Sequence, residues 1–188
     1  MQAAEKNTLR GFHGPVANLI RTEKQHAVAI EIALGAGLQN IVVDREEDSK
    51  AGIQYLKQRD GGRATFLPMS AIRGGRLQEQ GVENEFGFVG VAADLLQYDG
   101  KYRNVMEYLL GRTVVVEDLD CGIAMARKYQ QRFRIVTLDG QVINRGGSMT
   151  GGSVSKSAGI LSRANELAEL QKRRETLTGQ LEKAQKAA

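Results

Sequence analysis

The chain has 188 residues, 41% hydrophobic and 26% charged, enough for one sizeable domain or two small lobes sharing a core. A single cysteine, Cys121, excludes an internal disulfide or a cysteine metal cluster, and with only His13 and His26 a zinc site would need carboxylates to complete it. No apolar run nears the ~18 residues that span a bilayer and no signal peptide is visible, which points to the cytosol, while a net charge of +4 permits contact with nucleic acid without requiring it.

Residues 1–10 are short, polar and helix-compatible. Residues 11–153 then hold nearly all of the 22 glycines and the β-branched runs, with only Pro15 and Pro68 as prolines. Abundant glycine with scarce proline points to special backbone geometry inside an ordered fold.

Within this region one order of elements occurs twice. The first copy runs through Val28–Gly35, Ile41–Asp44, a helical stretch around Ile53 and Leu56, and Arg63–Leu67. The second runs through Asn104–Gly111, Val114–Glu117, a helical stretch around Ile123 and Ala126, and Arg134–Leu138. Each predicts a helix stopped at Leu-Gly, a short apolar strand ending in an acid, a second helix and a second strand. Gly35 and Gly111 are expected to end their helices in the left-handed conformation. The valine- and isoleucine-rich runs suit strands covered on both faces. Asp44, and Asp118 or Asp120, are expected to cap the helices that follow. Gly61 and Gly62 stop the first of these helices.

No stretch carries convincing catalytic chemistry. Gly35-Ala36-Gly37-Leu38-Gln39-Asn40 follows a helix and opens a strand, the reverse of a dinucleotide loop. Gly147–Ser157 lacks the Gly-Lys-Ser/Thr of a phosphate loop. Asp118-Leu119-Asp120 reads better as a helix cap than as a metal-dependent phosphotransfer site. His13 and His26 show no obvious partner and read as structural, and Cys121 reads as a small buried residue. The reading is therefore of no catalytic residue, no metal ligand and no cofactor held in this region. A small-molecule α/β enzyme and a stand-alone nucleic-acid-binding module stand as alternatives.

After the strand Gln141-Val142-Ile143, the block Gly146-Gly147-Ser148-Met149-Thr150-Gly151-Gly152 sets two Gly-Gly pairs around Met149 and Thr150. Glycine lets a second backbone approach closely, and a strand with small residues at a sheet edge can pair with another chain. From about Ile160 the composition shifts to Ala, Glu, Lys, Arg, Leu and Gln. Apolar positions at Leu167, Leu170, Leu177, Leu181, Ala184 and Ala188 keep heptad spacing, with Arg174 at the skipped position. Such a narrow seam wants one partner helix. The pattern runs on to Ala188 without a cap, as in a segment of a longer coiled coil whose other strand enters before Leu9.

Taken together, these residues resemble the hinge of SMC (structural maintenance of chromosomes) proteins, in the style of the bacterial homodimeric members. The likeness is carried by five blocks in order: Gly11-Phe12-His13-Gly14-Pro15-Val16; Ala29-Ile30-Glu31 with Ala33-Leu34-Gly35; Ile41-Val42-Val43; Gly62-Arg63-Ala64-Thr65-Phe66-Leu67-Pro68; and Asn144–Gly152. It spans roughly residues 9–155.

The resemblance implies an α/β fold of two pseudo-repeated lobes, 11–80 and 81–155, flanked by antiparallel coiled-coil arm segments at 1–10 and 156–188. It implies a homodimer joined by strand pairing at two symmetric contacts, with Gly146, Gly147, Met149, Thr150, Gly151 and Gly152 at the interface. It further implies an ATPase whose ATP and Mg sit in head domains outside this region, kleisin-type subunits at those heads, and a nucleoid-associated machine in the cytoplasm that entraps DNA. Lys6, Arg10, Lys156 and Arg163 match positions where family hinges contact DNA. Where family members often carry a lysine cluster this chain has Ser155-Lys156-Ser157, so the implied DNA binding is weak, sequence-independent and salt-sensitive.

Overall fold

The computed structural model describes residues 11–153 and 159–187. Within them the chain builds one series of elements twice. The first series is β1 (Phe12–Pro15), α1 (Val16–Leu19), β2 (Arg21–Thr22), a 3-10 turn (Lys24–His26), α2 (Ala27–Leu34), β3 (Ile41–Val43), α3 (Glu46–Gln58) and β4 (Phe66–Pro68). The second is β5 (Phe88–Val91), a 3-10 turn (Ala92–Leu95), β6 (Leu96–Gln97), another (Gly100–Tyr102), α4 (Arg103–Leu110), β7 (Thr113–Val116), α5 (Leu119–Lys128) and β8 (Arg134–Thr137). Three elements follow: β9 (Val142–Ile143), β10 (Met149–Thr150) and the long helix α6 (Ile160–Ala187).

The repeat reaches further towards the N terminus than the helix and strand pattern indicates. Gly11-Phe12-His13-Gly14 and Gly87-Phe88-Val89-Gly90 open the two series. In each, the strand lies antiparallel to the central strand, β1 on β3 and β5 on β7, with an irregularity between the phenylalanine and the second glycine. In each, the central strand pairs in parallel with the last one, β3 with β4 and β7 with β8. A parallel pair needs a crossover connection, and α3 and α5 supply it. The two short strands β2 and β6, one from each series, pair antiparallel (Arg21↔Gln97, Thr22↔Leu96) and join the halves.

The mixed α/β fold has its larger core where the halves meet and a second cluster inside the second half, around Val114, Val116, Met125 and Ile135. Central strand β7 is buried at all four residues, and Val42 and Val43 of β3 are fully covered, as expected for strands with both faces packed. Helix α2 buries Ala27, Ala29, Ile30, Ala33 and Leu34, so it is apolar nearly all round; it packs against β8, α4 and the start of α6. From β8, the Arg134 guanidinium donates to the carbonyls of Ala33 (2.7 Å) and Ile32 (3.4 Å), placing a cation on the C-terminal end of α2. Burial lowers the Arg134 pKa from its ordinary value. The stretch between β4 and β5 is tied to the second half by Arg76, which bridges Asp94 (2.5 Å) and Glu107 (3.3 Å), and by Glu85, which accepts from Lys128 (2.5 Å) and Tyr129 (3.0 Å).

Four sequence expectations need correction. Gly111 is right-handed (φ −64°), not left-handed; it is a glycine because a Cβ there would strike the Gly75 carbonyl, and the Leu77 N–H in turn donates to the Gly111 carbonyl at 2.8 Å. Asp44 does not cap α3. The cap position is Arg45, whose N–H donates to the Asp48 carboxylate at 3.0 Å, while at the matching place in the second half Asp118 caps α5 by accepting from the Cys121 N–H at 2.8 Å. His13 does have partners: its Nε2 lies 2.8 Å from Asp44 Oδ1 and its Nδ1 3.0 Å from the Tyr102 hydroxyl. Asp44 therefore holds a histidine instead of a helix end. Gly35 takes a positive φ (+50°) after Leu34, but its ψ of −126° lies outside the left-handed helical region and the chain runs on as a 3-10 turn over Gly35–Gln39. Cys121 is buried, as expected.

Candidate functional site

The glycine block folds as a hairpin at the end of the larger sheet. That sheet has five strands in the order β10-β9-β8-β7-β5, and β10 pairs antiparallel with β9 through Met149↔Ile143 and Thr150↔Val142. Among the described residues no strand lies beyond β10, and both of its residues are exposed, Met149 at 52%. An apolar side chain on an open strand edge is a surface suited to pairing.

The site residues named from sequence are brought together in part. Gly146 and Gly147 form the turn, both at positive φ (+85° and +96°), as a tight hairpin connection demands. The Gly146 N–H donates to the Gln131 carbonyl (3.1 Å) and the Asn144 N–H to that of Ser148 (2.8 Å), which fixes the turn against the end of α5. Met149 and Thr150 form β10. Gly151 and Gly152 follow it and are exposed. Lys6, Arg10 and Lys156 lie outside the described residues. Arg163 lies in the first turn of α6, exposed, with its N–H donating to the Gly159 carbonyl at 3.1 Å.

One residue of this site was missed in the sequence. Gln141, immediately before β9, reaches across the hairpin. Its Oε1 accepts from the Gly152 N–H at 2.9 Å, and its Nε2 donates to the Gly152 carbonyl at 3.1 Å. A Cβ on Gly151 would collide with that amide. The signal was available: turn residues 144–148 between Val142-Ile143 and Met149-Thr150 define a hairpin, and its pairing sets Gln141 opposite Gly151.

The smaller sheet, β1-β3-β4, carries the second open edge. In the larger sheet β8 is covered by β9 (Ile135↔Ile143, Val136↔Val142). In the smaller one β4, the counterpart of β8, has no such strand among the described residues, and residues 61–65 leading into it are all exposed. Pro68 has no N–H to offer, a residue tolerated on edge strands.

Helix α6 is rooted in the core, against α2 and β2. Leu161 is 3% exposed and its N–H donates to the Glu31 carboxylate from α2. Further along α6, Leu167, Leu170 and Leu177 are each more than half exposed. Leu181, Ala184 and Ala188 of the heptad pattern, and the entering segment 1–10, lie outside the described side chains. No group of His, Cys, Asp and Glu among the described residues is placed to hold a metal ion.

Among the described residues the arrangement thus offers edges for partners and no assembled nucleophile, base or metal set. A family model, that of the SMC proteins flexible hinge domain, matches residues 9–126. The chain belongs to the SMC hinge family. It is 46% identical over 172 residues to the chromosome partition protein Smc of Bacillus subtilis, an alignment covering 89% of this chain and 14% of that protein, so this hinge spans about one-seventh of the length of the curated relative. Its fold matches the crystal structure of an asymmetric dimer of the Geobacillus stearothermophilus SMC hinge domain with a TM-score of 0.81 and 39% identity, over 93% of this chain and 73% of that one. The Pyrococcus furiosus SMC hinge domain matches with a TM-score of 0.70 and 33% identity, over 81% and 78%. As in the rest of its family, this hinge is non-catalytic.

Proposed function

We propose that this chain is the homodimerisation hinge of a chromosome partition ATPase, with 11–80 and 81–155 as its two lobes. The observation that carries the reading is the mismatch between its two sheets. β10 ends one sheet with an exposed edge, and β4 ends the other where its counterpart β8 is already covered. Laying β10 of one copy on β4 of a second gives the smaller sheet the cover it lacks. A two-fold axis makes the contact twice, closing a ring from one kind of interface. Gly146, Gly147, Met149, Thr150, Gly151 and Gly152 then form one side of each contact, and residues 61–68 the other. That the Geobacillus stearothermophilus SMC hinge domain crystallises as a dimer, an asymmetric one, supports self-association.

The half-exposed leucines of α6 suit a second, antiparallel arm helix, and the two arms lead to ATP- and Mg-binding heads with kleisin-type partners beyond this region. The assembly belongs to the cytoplasm and the nucleoid, where it entraps DNA. Lys6, Arg10, Lys156 and Arg163 at the arm junction are assigned weak phosphate-directed DNA contact, with affinity falling as salt rises.

Sedimentation at micromolar concentration tests the first claim: a dimer is expected, and a monomer overturns it. A short thiol crosslinker then tests the edges. Cysteines at Thr150 of one copy and Ala64 of another should link chain to chain, and failure in a chain that sediments as a dimer would reassign the interface. Titration with DNA at two salt concentrations tests the junction, where unchanged affinity would remove the phosphate contacts.

A further inference from the structure

We infer that Gln141 is a positioning residue that orders the edge strand β10 before it pairs, acting as a side-chain substitute for a missing backbone bridge. This rests on the dimer reading given above and adds to it the device that holds the pairing edge in shape.

The need for a substitute follows from how the chain turns between β8 and β9. In the β9–β10 ladder the Asn144 N–H donates to the Ser148 carbonyl, so by antiparallel alternation Val142↔Thr150 is the next hydrogen-bonded pair and the one after it would be Gly140 with Gly152. The backbone of Gln141 between them faces β8, where its carbonyl accepts from the Thr137 N–H at 2.9 Å and its N–H donates to Thr137 Oγ1 at 2.8 Å. The tight turn commits the Gly140 N–H to the Thr137 carbonyl (2.9 Å), and the backbone bridges of β10 stop at Thr150↔Val142. Without further help Gly151 and Gly152 would leave the sheet as a free tail.

The Gln141 side chain prevents that. A carboxamide carries the same donor and acceptor as a peptide group, and here it meets both polar groups of Gly152. The direction of the amide is set by its neighbours. Nε2 faces two oxygens, the Gly152 carbonyl at 3.1 Å and Asp139 Oδ2 at 3.5 Å, and Oε1 faces the Gly152 N–H. A reversed amide would set oxygen against oxygen. Asp139 is itself held by the Thr137 hydroxyl, so one connected chain of hydrogen bonds runs from the β8–β9 turn to the end of β10. The clamp also accounts for Gly151, since any side chain there would displace the Gln141 amide. It grips the inner side of the strand and leaves the outer edge open.

Ordering an edge in advance removes an entropic cost from association, so losing the clamp should weaken pairing without unfolding the lobe. The test compares the unaltered chain with Gln141→Ala, Gly151→Ala and the double variant, by sedimentation, circular dichroism and amide hydrogen exchange. Gln141→Ala is expected to raise the dimer dissociation constant by roughly tenfold, the scale of two hydrogen bonds lost from an ordered strand. Its dichroism should be unchanged and its Gly152 amide should exchange faster. Gly151→Ala should weaken the dimer in the native background and much less in the Gln141→Ala background. Gln141→Glu keeps the acceptor but sets a carboxylate against Asp139 and the Gly152 carbonyl, so it should be no better than Ala. If the unaltered chain is a dimer and Gln141→Ala dimerises equally tightly with an unchanged Gly152 exchange rate, the inference is overturned. If Gly151→Ala is equally harmful in both backgrounds, the coupling is overturned. A monomeric unaltered chain overturns the dimer reading itself, and the role given to the clamp falls with it.

Discussion

Gly11 and Gly87 occupy the same place in the two halves and adopt the same backbone conformation, φ +74° in both. Each carbonyl closes its lobe in the same way: Gly11 accepts from the Asp44 N–H at 2.8 Å and Gly87 from the Glu117 N–H at 2.9 Å. Each also leaves no room for a Cβ, which would meet the third residue of the following helix, Asp48 at 2.6 Å in the first half and Cys121 in the second. Two independent constraints, handedness and close approach, therefore fall on each glycine. Gly11→Ala and Gly87→Ala should each destabilise the fold by about 1–3 kcal/mol, the usual cost of holding a side chain in that region. Urea unfolding checks this. An unchanged midpoint for both would mean that the lobe entrances relax freely, contrary to the paired geometry.

A second prediction concerns the contact between halves at His13. Its ring receives the Tyr102 hydroxyl on one side and Asp44 on the other, and its plane stands at 83° to the Tyr102 ring. Tyr102 is only 6% exposed, so its hydroxyl has little access to water as a replacement partner. His13→Phe should cost about 1–3 kcal/mol by removing the ring nitrogen that this hydroxyl meets. Tyr102→Phe in the His13→Phe background should then cost little more. Additive losses in this double-mutant cycle would show that the two side chains do not act as a pair.

The parts of this fold that follow from local pattern were legible. Leu34-Gly35, the Ile41–Val43 and Val114–Val116 runs, the cap at Asp118 and the start of the heptad helix all depend on residues close in sequence. What escaped depends on contacts between distant residues. Gly111 looked like a helix stop, yet its reason is the carbonyl of Gly75. Asp44 looked like a cap, yet it faces His13 from a neighbouring strand. The matching Gly-Phe-x-Gly openings were passed over because Pro15 and Val91 give the two strands different local character. At the candidate site the glycines drew notice by composition, whereas Gln141 did not, because its role appears only once the hairpin brings it opposite Gly151.

Acid should weaken the fold through a small set of paired carboxylates. The Cys121 backbone N–H, and then its thiol, hold Asp118 below the ordinary carboxylate value. Lys128 does the same for Glu85 against the opposing effect of burial, and the Ser70 hydroxyl for Glu46. Each lowered value in the folded state means that the unfolded chain binds protons first as pH drops. Their stabilising contribution is complete above the ordinary carboxylate range, near about pH 4, and is lost as pH falls through the lowered values. Asp118→Asn keeps an oxygen to cap α5 but removes the titration. Its unfolding midpoint should fall less steeply between neutral and acid pH than that of the native chain, and an equal slope would remove Asp118 from the acid response.

The last prediction concerns the root of the long helix α6. A helix start has N–H groups with no partner inside the helix and a partial positive charge, and Glu31 meets both by accepting from the Leu161 N–H. Gly159 gives the space, since a Cβ there would overlap the Glu31 carboxylate. The side chain of Leu161 adds the apolar half of the anchor within the same core that holds α2. Leu161→Ala should cost about 2–5 kcal/mol, as for other buried leucines, and Glu31→Ala about 0.5–2 kcal/mol, as for a lost helix cap. The two should differ in kind as well as in size. Removing Glu31 frees the first turn and leaves the core packed, so hydrogen exchange should accelerate at Leu161 and neighbouring amides of α6 while β7 stays protected. Removing Leu161 should lower protection in both. If Glu31→Ala left exchange at the start of α6 unchanged, the helix would be held by packing alone, and the carboxylate would have no part in setting the direction in which it leaves.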